Sequence, residues 1–225
     1  MKQKALFDGW PEKYDQWFTT PIGRLVKMYE SELLMDLLRP ERGDTILDAG
    51  CGTGVFTLDV LERKPRVVAM DISLPMLVRA GKKASERPIS FVAGDMMALP
   101  FADETFDKVV SVTALEFIED GKGALRELFR VTKHRGRIVV ATLNRLSPWA
   151  ARRAAQARTK PDSIFKRAIF RSPEEIAAIA PAAGVVKTAV HFQKDEEPER
   201  AERIELEGRA RGLETGAFLV AQWKR

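Results

Sequence analysis

Short apolar runs alternate with longer amphipathic stretches along most of the chain. Residues 45–49, 66–70, 89–93, 106–112 and 137–143 are runs in which apolar side chains mostly follow one another, RIVVATL being the clearest. Runs of that kind predict strands covered on both faces. Residues 53–63, 74–86 and 121–132 read as helices between them. Strands alternating with helices predict βαβ units and a mostly parallel sheet. Upstream, residues 21–38 place Ile22, Leu25, Val26, Tyr29, Leu33, Leu34 and Leu37 at helical spacing, with Gly43 as the stop signal. Downstream, Ser172-Pro173-Glu174-Glu175 opens another helix, with Ser172 as N-cap, Pro173 in the first turn and Glu175 completing a capping box. Gly184 is its expected end. Residues 185–192 and 217–223 read as two more strands, and the charged stretch 193–212 between them as a solvated helix.

Composition narrows the class. The 225 residues suit one domain, and 45% hydrophobic content allows a sizeable core. No apolar run approaches the ~20 residues that span a bilayer, and the first residues lack the apolar stretch of a signal peptide. With Cys51 the only cysteine, neither an intrachain disulfide nor a cysteine-based zinc site can form, and no other metal site is expected. These features predict a cytoplasmic protein. The net charge of +5 is modest. It fits an ordinary basic surface and leaves a nucleic-acid partner open.

The chemistry is concentrated in TILDAGCGTG, residues 45–54, where a strand ends in an acid and three glycines follow at alternate positions. A dinucleotide fingerprint requires G-x-G-x-x-G. Here the order is Gly50, Gly52, Gly54, and Val55 stands where the third glycine belongs. Asp48 would also face a pyrophosphate with like charge. A carboxylate followed by glycine-exposed backbone and a helix N-terminus suits a zwitterion instead: Asp48 for an ammonium group, the Thr53–Gly54 amides for a carboxylate.

ILDAGCGTG resembles motif I of the class I S-adenosylmethionine-dependent methyltransferases, and the likeness continues in register through VVAMDIS, FVAGDMMALPFADETFD and the segment from VVSVTALEF to VVATLN. It is closest to the type 11 branch, related to the ubiquinone/menaquinone-biosynthesis methyltransferases, and covers residues 45–144. The resemblance implies an α/β fold: a Rossmann-like three-layer sandwich with a mostly parallel seven-stranded sheet, an antiparallel last strand and an N-terminal helical cap over residues 1–40. It implies S-adenosyl-L-methionine as cofactor, released as S-adenosyl-L-homocysteine. Gly50, Cys51, Gly52 and Gly54 would meet its amino-acid end, Asp71 the ribose hydroxyls, Ile72 and Met76 the adenine faces, and Gly94, Asp95 and Met96 the adenine edge. Thr113, Ala114 and Leu115 would lie beneath the sulfonium. WPEKYDQWF resembles the branch's lid, with Tyr14, Asp15 and Trp17 matching; packing of the first helix onto the sheet explains the same aromatics equally well.

The expected reaction is in-line methyl displacement, in which the protein's main task is alignment. A general base is needed only for an acceptor protonated at working pH, and Tyr14, Glu116 and Asn144 are the candidates near the expected mouth. His134 reads as a surface turn and His191 as packing. The corresponding stretch SVTALEF lacks the Asn/Asp-Pro-Pro-Tyr/Phe of enzymes that methylate base or glutamine nitrogens. Residues 145–172 carry eight basic side chains against Asp162, which suits either a flap over a small, anionic acceptor or an RNA contact. The aromatic interleaving of a stacking surface is sparse there. The expectation is therefore a small-molecule methyltransferase, with an RNA or protein methyltransferase and a non-catalytic cofactor-binding protein as alternatives. Acceptor identity and oligomeric state are not written in the sequence.

Overall fold

The computed structural model describes residues 6–84, 87–160 and 162–225. The expected end of the helix at 85–86, the first five residues of the cap and Pro161 of the basic segment lie outside the described residues. The cap consists of α1 (Pro11–Trp17) and α2 (Pro21–Leu38). Thr20 caps α2 by accepting the Gly23 N–H at 3.1 Å, and Pro21 fits the first turn. The helix ends because Arg39 turns left-handed (φ 49°) just before Pro40, four residues ahead of Gly43.

The core then alternates as β1 (Thr45–Ala49), α3 (Val55–Leu61), β2 (Arg66–Asp71), α4 (Leu74–Lys83), β3 (Ile89–Ala93), β4 (Phe106–Val112), α5 (Gly121–Val131) and β5 (Thr132–Leu143). It finishes with α6 (Pro148–Thr159), α7 (Pro173–Ile179), β6 (Val185–Ala189), α8 (Pro198–Ala210) and β7 (Phe218–Lys224). The strands form a seven-stranded sheet ordered β3-β2-β1-β4-β5-β7-β6. β1 to β5 run parallel, and β7 is antiparallel to both β5 and β6. Alternate side chains enter opposite cores: Ile46 joins the layer under α2 and α3, and Leu47 the layer under α5. Both faces are thus covered, as the unbroken apolar runs predict. The strand order reverses direction between β1 and β4, and the carboxyl ends of strands at such a reversal form the ligand crevice of an open α/β sheet.

Several boundaries differ from the sequence expectation for identifiable reasons. α3 starts at Val55, because Gly54 adopts φ 76° as its N-cap. α7 stops at Ile179, well before Gly184, since Ala180 precedes Pro181 and takes an extended conformation (ψ 146°). β6 ends at Ala189 because Val190 turns to φ 64°. The capping box of α7 forms as expected, Ser172 and Glu175 bonding each other's backbone N–H at 3.2 and 2.8 Å. α8 is not simply solvated. Its Glu205 is fully buried, accepting from the His191 backbone N–H at 2.7 Å and pairing with the ring at 3.1 Å, so His191 is a packing residue.

Candidate active site

A cavity of about 440 Å³ opens at the carboxyl ends of β1, β2 and β4. Motif I forms its floor. Gly50 adopts φ 79°, and a Cβ there would stand 2.5 Å from the Ala114 Cβ, so only glycine lets the backbone pass this close. The N–H groups of Gly50 and Cys51 both donate to the Met70 carbonyl, at 2.8 and 2.9 Å, tying the turn to the end of β2. Gly50, Cys51 and Gly52 line the cavity; Gly54 does not, and serves as the α3 cap.

Asp48 is buried at the cavity wall. Its Oδ2 accepts the Thr57 hydroxyl at 2.5 Å, and its Oδ1 has no partner among the described groups. Burial pushes its carboxyl up to about 7. Asp71 ends β2 beside it. One oxygen accepts the Gly52 N–H and the other the Ser73 N–H, both at 2.8 Å. Burial raises its pKa against those donors. Ser73, and not Asp71, caps α4, through a 3.4 Å bond to Met76 N–H. Ile72 is 61% exposed over the opening while Met76 is buried, and both line the cavity. Gly94, Asp95 and Met96 form the wall beyond β3, where Asp95 Oδ1 accepts the Met97 N–H at 2.9 Å. Thr113, at φ 50°, and Ala114 lie at the end of β4. Leu115 faces away, fully buried in the core with α5.

A second cavity, of about 300 Å³, adjoins the first. Phe7, Tyr14, Thr113 and Phe117 line both, with the Phe7 and Phe117 rings packed edge to face at 4.8 Å. Tyr14 shares a hydrogen bond with the Thr113 side chain, and burial pushes its phenol well up. α1 is clamped over this junction by Asp15, which accepts from Thr53 (2.6 Å), Arg79 (2.8 Å) and Lys83 (2.8 Å). These partners hold the Asp15 carboxyl below its ordinary value despite the opposing effect of burial. Trp17 packs against Trp149 at 6.1 Å, so the lid-like segment covers the junction and packs the cap at once.

Of the candidate bases, Glu116 and Tyr14 line the second cavity and Asn144 lines neither. Asn144 is a clamp at the end of β5: Nδ2 donates to the Glu214 and Gly216 carbonyls at 2.7 Å each, and Oδ1 accepts the Leu146 N–H at 3.0 Å. Both amide protons are taken, and the buried side chain reaches neither cavity. Glu116 is fully buried in the 3-10 turn Leu115–Phe117. Its Oε2 accepts the Thr142 hydroxyl at 3.1 Å, and its Oε1 has no partner among the described groups. Burial moves this carboxyl up to about 7. Two further groups escape a reading of the sequence. Glu30 is buried on α2 with its carboxyl pushed up to about 8 by burial, and Arg153 on α6 has an unpartnered, buried Nη1. A signal for Glu30 exists: it sits on the apolar stripe, midway between Val26 and Leu34. The basic segment supplies Trp149, Arg153 and Phe165 to the wall. Its other cations are partly engaged within the fold, Arg145 with Glu175 (3.1 Å), Arg152 with Asp195 (3.1 Å) and Arg171 with the Leu115 carbonyl (3.2 Å).

Residues 47–140 match the family model for a methyltransferase domain. A demethylmenaquinone methyltransferase of Thermobifida fusca is 36% identical over 147 residues, covering 63% of this chain and 61% of that relative. One from Renibacterium salmoninarum is 39% identical over 61% of this chain and 56% of its own length. A malonyl-[acyl-carrier protein] O-methyltransferase of Erwinia pyrifoliae is 39% identical over 50% of this chain and 42% of its own. The chain thus spans less than two thirds of the length of these curated relatives. A solved S-adenosylmethionine-dependent methyltransferase from Thermotoga maritima shares the fold with TM-score 0.76, at 23% identity over 97% of this chain and 98% of that one. The methyltransferase solved with the Trm112 activator of Haloferax volcanii does so with TM-score 0.72, at 20% identity over 99% and 98%. Over residues 47–140 the chain is thus similar to a methyltransferase domain, and its fold is that of solved methyltransferases.

Proposed function

We propose that the chain transfers a methyl group from S-adenosyl-L-methionine to a small-molecule acceptor, with the cofactor in the first cavity and the acceptor in the second. One observation carries this reading: the two cavities meet at Tyr14, Thr113 and Phe117, at the carboxyl end of β4 where the sheet order reverses. The first cavity fits the cofactor's chemistry. Asp48 Oδ1 is a buried acceptor without a donor, which an ammonium group satisfies. Asp71 stands where ribose hydroxyls are bonded in nucleotide folds, and each of its oxygens has lone-pair capacity left beside its backbone donor. Ile72, Met76 and Met96 supply apolar surface for a purine. The demethylmenaquinone and malonyl-acyl-carrier relatives act on small or carrier-bound acceptors by name, which agrees with a second cavity of about 300 Å³ beside the first. A cytoplasmic setting belongs to the same reading; no helix among the described residues is long and apolar enough to cross a membrane.

When bound, the cofactor supplies an electrophilic methyl on a sulfonium sulfur that departs as a neutral thioether. The chain's own contribution is alignment and exclusion of water. Phe7, Tyr14 and Phe117 close the junction with aromatic surface, and the Asp15 clamp holds α1 in place. Such positioning can contribute ~7–11 kcal/mol of a bimolecular barrier. Thermal-shift and calorimetric titration with S-adenosyl-L-homocysteine and NAD test the reading: stabilisation by the former alone is expected, and stabilisation by NAD alone overturns it.

A further inference from the structure

The second cavity carries more polar chemistry than an apolar acceptor needs. Two buried polar atoms face no partner among the described groups, Glu116 Oε1 and Arg153 Nη1. Both residues line this cavity. A buried donor or acceptor left without a partner is costly, so two in one chamber point to a ligand that satisfies both. They come from different elements and feel each other's charge. Thr113 and Phe117, which flank Glu116 in the chain, line both cavities, so Glu116 lies at the junction. Arg153 is on α6, its guanidinium 5.2 Å from the centre of the Trp149 ring and 5.4 Å from that of Phe165.

Charge and shape sharpen the ligand. Lys13, Arg152, Arg153 and Lys194 line the chamber against the carboxylates Glu30 and Glu116, leaving an excess of positive charge. Burial and the like charges of Arg152, Arg153 and Lys160 lower the Lys194 pKa, which marks a cationic field not fully neutralised. Trp10, Trp17 and Trp149 form flat walls. We propose that the chamber accepts a hydroxylated aromatic acid, its anionic group on Arg153 and its hydroxyl beside Glu116, which takes the hydroxyl proton. This rests on the two-cavity reading above. In the step, the acceptor O–H bond breaks and the proton passes to Glu116 Oε1. The oxygen keeps the electron pair and forms the new bond to carbon, and the carbon–sulfur pair stays on sulfur. Glu116 then returns its proton to solvent.

The groups facing Glu116 are Tyr14 of α1, Glu30 of α2, Thr142 of β5, Arg153 of α6 and Arg171. Its ordinary value of 4.5 rises to about 7 in this setting. The base is therefore ionised, and active, above that pH.

Three of the four tryptophans line the chamber, so intrinsic fluorescence reads its occupancy without turnover. The probes are 4-hydroxycinnamate, its methyl ester and tyramine, titrated with S-adenosyl-L-homocysteine present. The acid is expected to quench and to bind at least ~10-fold tighter than the ester or the amine, the worth of one charge-assisted bond. Arg153→Met is expected to erase that preference and Arg153→Lys to keep part of it. Glu116→Gln is expected to bind the acid within about threefold of wild type while methyl transfer falls ~100-fold or more. Its rate should rise only toward the acceptor's own ionisation near ~10, whereas the wild-type rate rises through about 7. Ester or amine binding as tightly as the acid, no quenching by the acid, or a wild-type rate and pH profile in Glu116→Gln each overturns the inference. Calorimetry with S-adenosyl-L-homocysteine separates the two levels. A wild-type protein that fails to bind it refutes the two-cavity reading, while normal binding without acid quenching refutes this inference alone.

Discussion

Replacing Asp48 by asparagine should stabilise the protein and weaken its cofactor binding at the same time. The Asp48 carboxyl has an ordinary value of 3.8 and rises to about 7 when folded, because it is buried at 3% exposure with one oxygen unpartnered. Between those two values the folded protein holds a proton that the unfolded chain has released, so stability falls as pH climbs through that window. At ~1.36 kcal/mol per pH unit, the ionised residue costs about 4 kcal/mol at pH 8. An asparagine in its place stays neutral and can still accept the Thr57 hydroxyl, but its amide is left without an acceptor at a cost of ~1–3 kcal/mol. The net gain at pH 8 is on the order of 1–3 kcal/mol, a rise in Tm on the order of 5 °C for a chain of this length. The gain should shrink as pH falls, cross zero between about pH 4.5 and 6, and become a loss of ~1–3 kcal/mol near pH 4, where wild-type Asp48 is protonated in the folded state and about half protonated in the unfolded one. Affinity for S-adenosyl-L-homocysteine should fall ~10–150-fold at pH 8, the worth of a hydrogen bond to a charged group. Differential scanning calorimetry across pH and isothermal titration read the two effects. A Tm difference that does not depend on pH, or an affinity within twofold of wild type, refutes the reasoning.

Other perturbations separate the remaining parts of the account. Gly50→Ala forces a side chain into φ 79° and toward the Ala114 Cβ; strain of ~1–2 kcal/mol and overpacking of ~1–3 kcal/mol should lower Tm and abolish cofactor binding by calorimetry. Tyr14→Phe removes the bond to Thr113 and should weaken S-adenosyl-L-homocysteine binding with little change in Tm; unchanged affinity argues against a lid role for Tyr14. Asp15→Ala releases α1 from Thr53, Arg79 and Lys83 and should speed cofactor dissociation in stopped flow. Because Asp15 titrates below its ordinary value of 3.8, its stabilising effect is present above that pH and lost as pH falls through the folded-state value. Glu205→Gln should cost more Tm at pH 6 than at pH 9. The His191 pKa is raised above 6.5 by Glu205 and the Leu213 carbonyl against the effect of burial, so that pair's contribution is complete below 6.5 and lost as pH rises through the folded value.

What the sequence discloses follows from the range of the forces involved. The alternation of strands and helices, the glycines of motif I and the cap at Ser172 are local, set by a residue and its near neighbours. Even the displaced boundaries have local causes, Pro181 for α7 and the turn at Val190 for β6. The second cavity is different. Glu30, Glu116 and Arg153 lie on α2, the turn after β4, and α6, and only the fold brings them to one chamber. Asn144 shows the converse. Its place after the fifth strand makes it a candidate base, yet its partners Glu214 and Gly216 come from a loop 70 and 72 residues away and take both of its amide protons. Glu205 likewise reads as solvated from the charges around it, and only the fold brings it to His191, 14 residues upstream.

The central claim is that two adjoining cavities divide cofactor from acceptor at the Tyr14–Thr113–Phe117 junction. A crystal structure with S-adenosyl-L-homocysteine tests it most directly. The account predicts the ammonium group within hydrogen-bond distance of Asp48, the ribose hydroxyls on Asp71, and the sulfur at the junction facing the second cavity. Density for the ligand outside the first cavity, or a sulfur turned away from Phe117 with the second cavity closed to it, would contradict it.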